Sequence, residues 1–265
     1  MEQLTVREVI TFLETIAPKA LQESYDNCGL LTGDQTLTVS GILTTLDSTE
    51  SVIDEAIASN CNLIVSHHPI IFKGLKKLTG HNYVERTVIK AIKNDIAIYA
   101  IHTNLDNVSE GVNKRIADKI GLVNRQVLVP KVGYENQKFG SGMIGELVEP
   151  IEPMDFLLRL KKTMNTDCLR YTSLPSTKLK KVALCGGSGS FLLNDAICAG
   201  ADVFISADFK YHEFFDADNN IIIADIGHYE SEQFTKELLQ EVLTKKFPTF
   251  AINFSKTPTN PISYL

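Results

Sequence analysis

Shifting this 265-residue chain by 140 positions lays one stretch over another without a gap. ILTTLDSTESVIDEAIASNCNLIVS, residues 42–66, falls on VALCGGSGSFLLNDAICAGADVFIS, residues 182–206. The identities are few (Ser48/Ser188, Ala56/Ala196, Ile57/Ile197, Ser66/Ser206), but the apolar positions coincide nearly throughout. Each copy reads as a strand, a short helix and a second strand. Strands that alternate with helices favour a largely parallel sheet, because a parallel pair needs a crossover long enough to hold a helix. Two such copies predict an α/β fold of two related lobes, 1–126 and 127–265. Their sheets are expected to be mainly parallel or mixed and covered by helices, with the C-terminal tail packing back on the first lobe.

Other segments extend the pattern. Val6, Val9, Ile10, Leu13 and Ile16 recur at helical spacing, and Thr5 with Glu8 forms a capping box at the start. Helices are predicted over 83–93 and 111–120, with the strand IAIYAI between them. Pro153 is placed to open a helix through Met164. Tyr229–Thr244 reads as one helix, and TFAINFS as a last strand. GMIGELV reads as a strand in a stretch, 130–180, that departs from the alternation.

Composition weighs against some functions. The net charge of −6 argues against an extended surface for phosphate backbones while leaving room for a local basic pocket, so a nucleic-acid partner is not the expectation. The start, MEQLTVREVI, lacks a basic segment followed by an apolar run, and no apolar run reaches the ~20 residues that span a bilayer. The five cysteines are scattered and include no Cys-x-x-Cys. They fit reduced thiols in a cytoplasm.

Histidine carries the chemistry. Of six histidines, His67, His68, His102 and His228 follow strands, where parallel α/β sheets build their sites. Asp106 follows His102 by four residues, and Glu232 follows His228 by four. Two related lobes facing each other would bring these pairs together. Imidazole with carboxylate suits borderline divalent ions such as Zn, Mn, Fe or Ni. The donors exceed what one ion needs and fit two ions roughly 3.5–4 Å apart sharing a carboxylate. His81 reads as a surface residue; His212 is open between a helix surface and the site. GGSGS, residues 186–190, is either an anion cradle or a tight turn. Lys73, Lys76 and Lys77 either hold a phosphate or form a solvated loop. No Gly-x-Ser-x-Gly elbow or Gly-x-Gly-x-x-Gly fingerprint opens a unit.

YDNCGLLTGD, SHHPIIFKGLKKL, IHTNLDNVSEGVN, CGGSGS, ISADFKYHEFFDA and GHYESE span nearly the whole chain. In that order they resemble the NIF-three-like proteins, also catalogued as GTP cyclohydrolase 1 type 2 homologs. The resemblance implies two α/β lobes, a dinuclear metal site between them and a ring-shaped homohexamer. It implies His67, His68, Asp106, His228 and Glu232 as ligands of two divalent ions, with Glu232 bridging. Tyr25 stands where the family often has tryptophan, and Ala207 where it often has glycine. On this reading the chain is a two-metal hydrolase opening the imidazole ring of a GTP-like nucleotide. His102 is expected to shuttle a proton, and Asp208 and His212 to line the pocket. The alternatives are a metal-dependent phosphoesterase acting on nucleotides or nucleic-acid ends, and a metal-binding regulatory or scaffold protein.

Overall fold

A computed structural model describes residues 3–133 and 138–265. The chain forms two compact units. Unit 1 holds the residues up to Leu105 together with Thr235–Pro261, and unit 2 holds Asp106–Phe234 with Ile262–Leu265. A single cut at 126/127 does not describe this division.

Unit 1 begins with α1 (Val6–Ile16), where Thr5 Oγ1 accepts from the Glu8 N–H and Glu8 accepts from the Thr5 N–H at 2.7 Å. Its further elements are β1 (Gly29–Thr32), β2 (Ile42–Thr45), α2 (Glu50–Ala58), β3 (Leu63–Ser66), α3 (Tyr83–Lys93), β4 (Ala97–Ala100) and α4 (Thr103–Asp106), the last ending at the unit boundary. Unit 2 contains α5 (Val112–Ile120), β5 (Val123–Pro130), β6 (Gly140–Ile151), α6 (Pro153–Thr163), β7 (Arg170–Tyr171), β8 (Leu179–Ser188), α7 (Leu193–Cys198), β9 (Val203–Ala207), β10 (Ile222–Asp225) and α8 (His228–Glu232). The chain then returns to unit 1 with α9 (Thr235–Lys246) and β11 (Ile252–Phe254).

The sheet of unit 1 runs β1-β4-β3-β2-β11, all parallel except β1 at its edge. The sheet of unit 2 runs β5-β6-β8-β9-β10-β7 and is mixed: β8, β9 and β10 are parallel, and the flanking strands antiparallel. The antiparallel β5–β6 pair, with α5 packed on β6 and β8, keeps 106–126 in unit 2. The C-terminal segment belongs to unit 1 because β11 pairs with β2 and α9 packs on both strands.

The repeat holds in three dimensions. Ile42 pairs with Leu63 across β2 and β3, and Val182 with Val203 across β8 and β9, 140 positions on. Leu43, Val52, Ile53, Ala56, Cys61 and Ile64 belong to the core of unit 1. Their counterparts Ala183, Leu192, Leu193, Ala196, Ala201 and Phe204 belong to the core of unit 2. Each large aliphatic or aromatic member contributes about 1.5–3 kcal/mol by leaving water.

The helix expected over 229–244 is two. At the break, the Gln233 amide donates to Met164 O and the Lys119 ammonium lies over the Phe234 ring, 3.8 Å from its centroid. Both contacts keep this segment in unit 2, whereas α9 belongs to unit 1. Among the described residues no helix is long and apolar enough to cross a membrane.

Candidate metal centre

In unit 1 the parallel pairing of β2 and β3 runs on past Ser66. The His67 N–H donates to Thr45 O at 3.1 Å and the His68 N–H to Leu46 O at 2.9 Å. The strand itself ends at Ser66, and in the bend that follows the two neighbouring imidazoles turn to the same side. On the adjacent strand, the Ile101 N–H donates to Ser66 O at 2.9 Å, which sets His102 beside them. The ring centroids lie 4.9 Å apart for His67 and His68, and 5.2 Å from each of these to His102. One ring nitrogen from each of the three lies within 4.8 Å of the others.

Each ring is held from behind by its Nδ1. His67 Nδ1 meets Ile101 O at 2.9 Å, His68 Nδ1 meets Asp47 Oδ1 at 2.7 Å, and His102 Nδ1 meets Asp26 Oδ1 at 2.9 Å. The carboxylates are themselves fixed. Thr259 donates its hydroxyl to Asp47, while Thr103 donates its hydroxyl and N–H to Asp26. Burial opposes ionisation of Asp26, but hydrogen bonds from His102, Cys28 and Thr103 hold its carboxyl well below the usual carboxylate range. Asp47 is shifted the same way, its His68 contact outweighing its burial. Beside Asp26, the Cys28 thiol is pushed up to about 12 by burial and by that carboxylate, so it is no nucleophile.

Unit 2 repeats the device with a carboxylate on each side of the ring. His228 Nδ1 meets Asp208 Oδ2 at 2.7 Å, and its Nε2 meets Glu232 Oε2 at 3.2 Å, one turn on along α8. Burial alone would lower the His228 pKa; the Glu232 charge and the Asp208 hydrogen bond outweigh it and lift it to about 11. A carboxylate oxygen of Asp106 lies within 4.8 Å of one from Glu232. Burial and the charges of these two acids raise the Cys185 thiol. Glu232, Asp106 and His228 each belong to groups of side chains that could hold a metal ion.

The glycine-rich run makes room for this cluster. A Cβ on Gly187, whose φ is +61°, would stand 2.5 Å from Glu232 Oε1, and one on Gly186 would stand 3.3 Å from Glu232 Cγ. The Gly186 N–H donates to Asn113 Oδ1 and the Gly187 N–H to Ser231 Oγ, both at 2.9 Å. These two amides are spent within the protein and do not face an anion.

Nδ1 anchored on a carboxylate or carbonyl, with Nε2 left toward an ion, is how protein imidazoles are tuned as metal ligands. All four strand-end histidines are anchored through Nδ1, and the Nε2 of His228 meets Glu232. The profile of the Duf34/NIF3 (NGG1p interacting factor 3) family matches residues 4–261. The chain belongs to this family. Its relatives include a GTP cyclohydrolase 1 type 2 homolog of Clostridium acetobutylicum, 36% identical over 86% of this chain and 85% of the relative. A relative of that name in Staphylococcus epidermidis is 30% identical over 98% of this chain and 100% of its own length. Among solved structures, a hypothetical protein of Staphylococcus aureus superposes with a TM-score of 0.94 at 31% identity, covering both chains fully. A Bacillus cereus protein related to NIF3 superposes with 0.91 at 26% identity, again over both full chains. The fold of this chain is thus the mixed α/β fold of NIF3 structures, two sheets covered by helices.

Of the residues singled out in the sequence, unit 1 gathers His67, His68 and His102, and unit 2 gathers His228, Glu232 and Asp106, with Asp208 behind His228. His212 is exposed on the 3-10 helix Tyr211–Ala217, its ring against Tyr211 and Phe215. Among the described residues it joins no group of three side chains able to hold an ion. Lys73, Lys76 and Lys77 are exposed. The sequence reading passed over Asp26 and Asp47. Asp47 had a signal, being an acid directly after an apolar strand; Asp26 had none beyond its place in a turn-rich motif.

Proposed function

We propose that the chain is a metal-dependent hydrolase in which the two donor sets serve one dinuclear centre. His67, His68, Asp106, His228 and Glu232 are the ligands on this reading, and Glu232 is shared. The observation that carries it is the anchoring of every strand-end imidazole through Nδ1, which leaves borderline N/O donors of the kind that Zn, Mn, Fe and Ni take. Two such ions would supply an acidified water and polarise the substrate.

The chain's own groups do the rest. Asp47 keeps His68 in the tautomer that presents Nε2, and Asp208 does so for His228. Asp26 holds the His102 ring, leaving Nε2 to take up or return a proton at the pocket; His102 is the proposed shuttle. His212, exposed on its 3-10 helix, is kept on this reading only as a candidate contact to substrate. The name shared by the relatives points to a purine nucleotide whose imidazole ring is opened, and we take a GTP-like nucleotide as substrate. The working assembly on this reading is a homohexamer, tested by light scattering coupled to gel filtration.

Metal analysis joined to a nucleotide panel read by product mass tests the whole. Formate release with about two ions per chain is the expected result. Release of phosphate instead would make the chain a phosphoesterase served by Lys73, Lys76 and Lys77. Bound metal with no turnover of any nucleotide would leave a binding protein.

A further inference from the structure

In unit 1, residues 255–259 follow β11 and form no helix or strand. One side chain of α2 holds them instead. Glu55 Oε2 accepts the Ser255 hydroxyl at 2.6 Å, the Thr257 hydroxyl at 2.7 Å and the Thr257 N–H at 3.2 Å. Its Oε1 accepts the Lys256 N–H at 2.8 Å. The Ser255 N–H also donates to Thr44 O at 2.7 Å, and the Lys236 ammonium to Ser255 O at 2.9 Å. The repeat has no second clasp of this kind. The position matching Glu55 in unit 2 is Asp195, which is exposed and whose carboxylate accepts no hydrogen bond among the described residues.

The clasped loop leads to a metal-ligand candidate. Thr259 donates its hydroxyl to Asp47 Oδ2 at 2.6 Å, and Asp47 Oδ1 meets His68 Nδ1 at 2.7 Å. Only Pro258 lies between Thr257 and Thr259. A proline ring fixes its own φ and restricts the residue before it, so a held Thr257 leaves Thr259 little room to move. Asp47 is gripped at both ends, because its carbonyl accepts the Thr45 hydroxyl at 2.9 Å. With the backbone pinned and one oxygen tied to Thr259, the carboxylate cannot turn without breaking a bond. Its other oxygen then points one way, and the His68 ring follows it.

We propose that Glu55 and Thr259 are positioning residues for His68 and act in series. Glu55 holds the loop, the loop places Thr259, and Thr259 sets the Asp47 carboxylate that orients the imidazole. This deepens the hydrolase reading and rests on it only for the ion that His68 would hold. A loop with a purely structural role would lower stability when cut loose and leave the ring as it was. A positioning loop changes how the ring is held and how firmly the donors take an ion.

The test compares Thr259→Val, Thr259→Ser, Glu55→Gln and the Thr259→Val/Glu55→Gln double variant in the full chain. Zinc affinity is read by competition with a chromophoric chelator. The His68 tautomer is read by imidazole nitrogen NMR of the metal-free protein, with His68→Gln identifying its signal. Thr259→Val should weaken zinc binding by about 2- to 13-fold, the range of one hydrogen bond, and move His68 from its Nδ1–H form toward a mixture of tautomers. Thr259→Ser should keep both at the values of the unaltered protein. Glu55→Gln should act in the same direction as Thr259→Val. The double variant should be about as weak as Thr259→Val alone, because residues on one path do not add. If Thr259→Val does not fold, Glu55→Gln against the unaltered protein gives the same two readings. An unmoved His68 signal, a Thr259→Ser that behaves like Thr259→Val, or additive losses in the double variant overturns the proposal. Zinc binding that Thr259→Val leaves unchanged also overturns it and spares the dinuclear reading. No zinc binding by the unaltered protein brings down the dinuclear reading, and the His68 signal of the metal-free variants then decides on Glu55 and Thr259.

Discussion

The two strand–helix–strand copies agree inside and differ at their tips. Inside, the register is the same, and the cores are filled in compensating ways: Leu43 and Ile64 in one copy stand where Ala183 and Phe204 stand in the other. At the tips, His67 and His68 correspond to Ala207 and Asp208, and Asp47 corresponds to Gly187. One copy therefore buttresses an imidazole from the strand end with an acid from the neighbouring loop. The other puts the acid on the strand end, behind His228, and empties the loop position so that Glu232 fits. A shared scaffold fixes where a side chain starts; it leaves open which half of an imidazole–carboxylate pair stands there.

The sharpest test of this asymmetry lies in the two His-x-x-x-acid motifs. His102→Ala should lower kcat by about 10²- to 10⁴-fold, as loss of a proton-transfer group does, with metal content unchanged. His228→Ala should lose metal. If His102→Ala also loses metal in elemental analysis, the histidines play equal parts and the shuttle role falls. Next comes the shared interior. Phe204→Ala should cost about 3–5 kcal/mol and Ile64→Ala about 2–5 kcal/mol by chemical denaturation; a near-zero cost at either would deny that the cores are equivalent. Third is position 47/187. Asp47→Ala should weaken metal binding by about 10- to 100-fold, in line with lost support for a ligand. Gly187→Asp should do so at least as strongly, by driving a second charge against Glu232. Tolerance of both would mean the tips are interchangeable after all.

The fourth test uses pH. In the metal-free protein His228 titrates near 11, above its ordinary 6.5. Its stabilising contribution is thus fully present below about 6.5 and is lost as pH rises toward 11. At pH 7 an incoming ion must displace this proton, so loading should release about one proton per His228. Calorimetry in buffers of differing ionisation enthalpy reads this directly; no buffer dependence would refute the paired imidazolium. The smallest effect is at position 49/189. Thr49 caps α2 through the Val52 N–H, so Thr49→Ala should cost about 1 kcal/mol.

Much of this was legible in the chain. The capping box at Thr5 and Glu8, the alternation of strand and helix, and the 140-residue echo follow from local chemistry and periodicity. The four strand-end histidines stood out because little packing reason puts them there. The break between α8 and α9 did not show. Apolar spacing continues through Gln233 and Phe234, and only the change of packing partner divides the helix. Asp26 was hidden for a different reason. Its partners Thr103 and His102 lie 77 and 76 residues away, and no spacing rule connects a turn to a strand end.

The Nδ1 anchors have a consequence for supply. Each ring is oriented by groups of the protein, so the donors stand in place before any ion arrives. Loading then costs little ordering, and folding need not wait for it, unlike small zinc domains that are unfolded without their metal. A site that is set in advance yet built of borderline donors does little to choose among late first-row ions, whose affinities follow a general order. Which metal the chain carries would then record the free-metal balance of the compartment in which it is loaded.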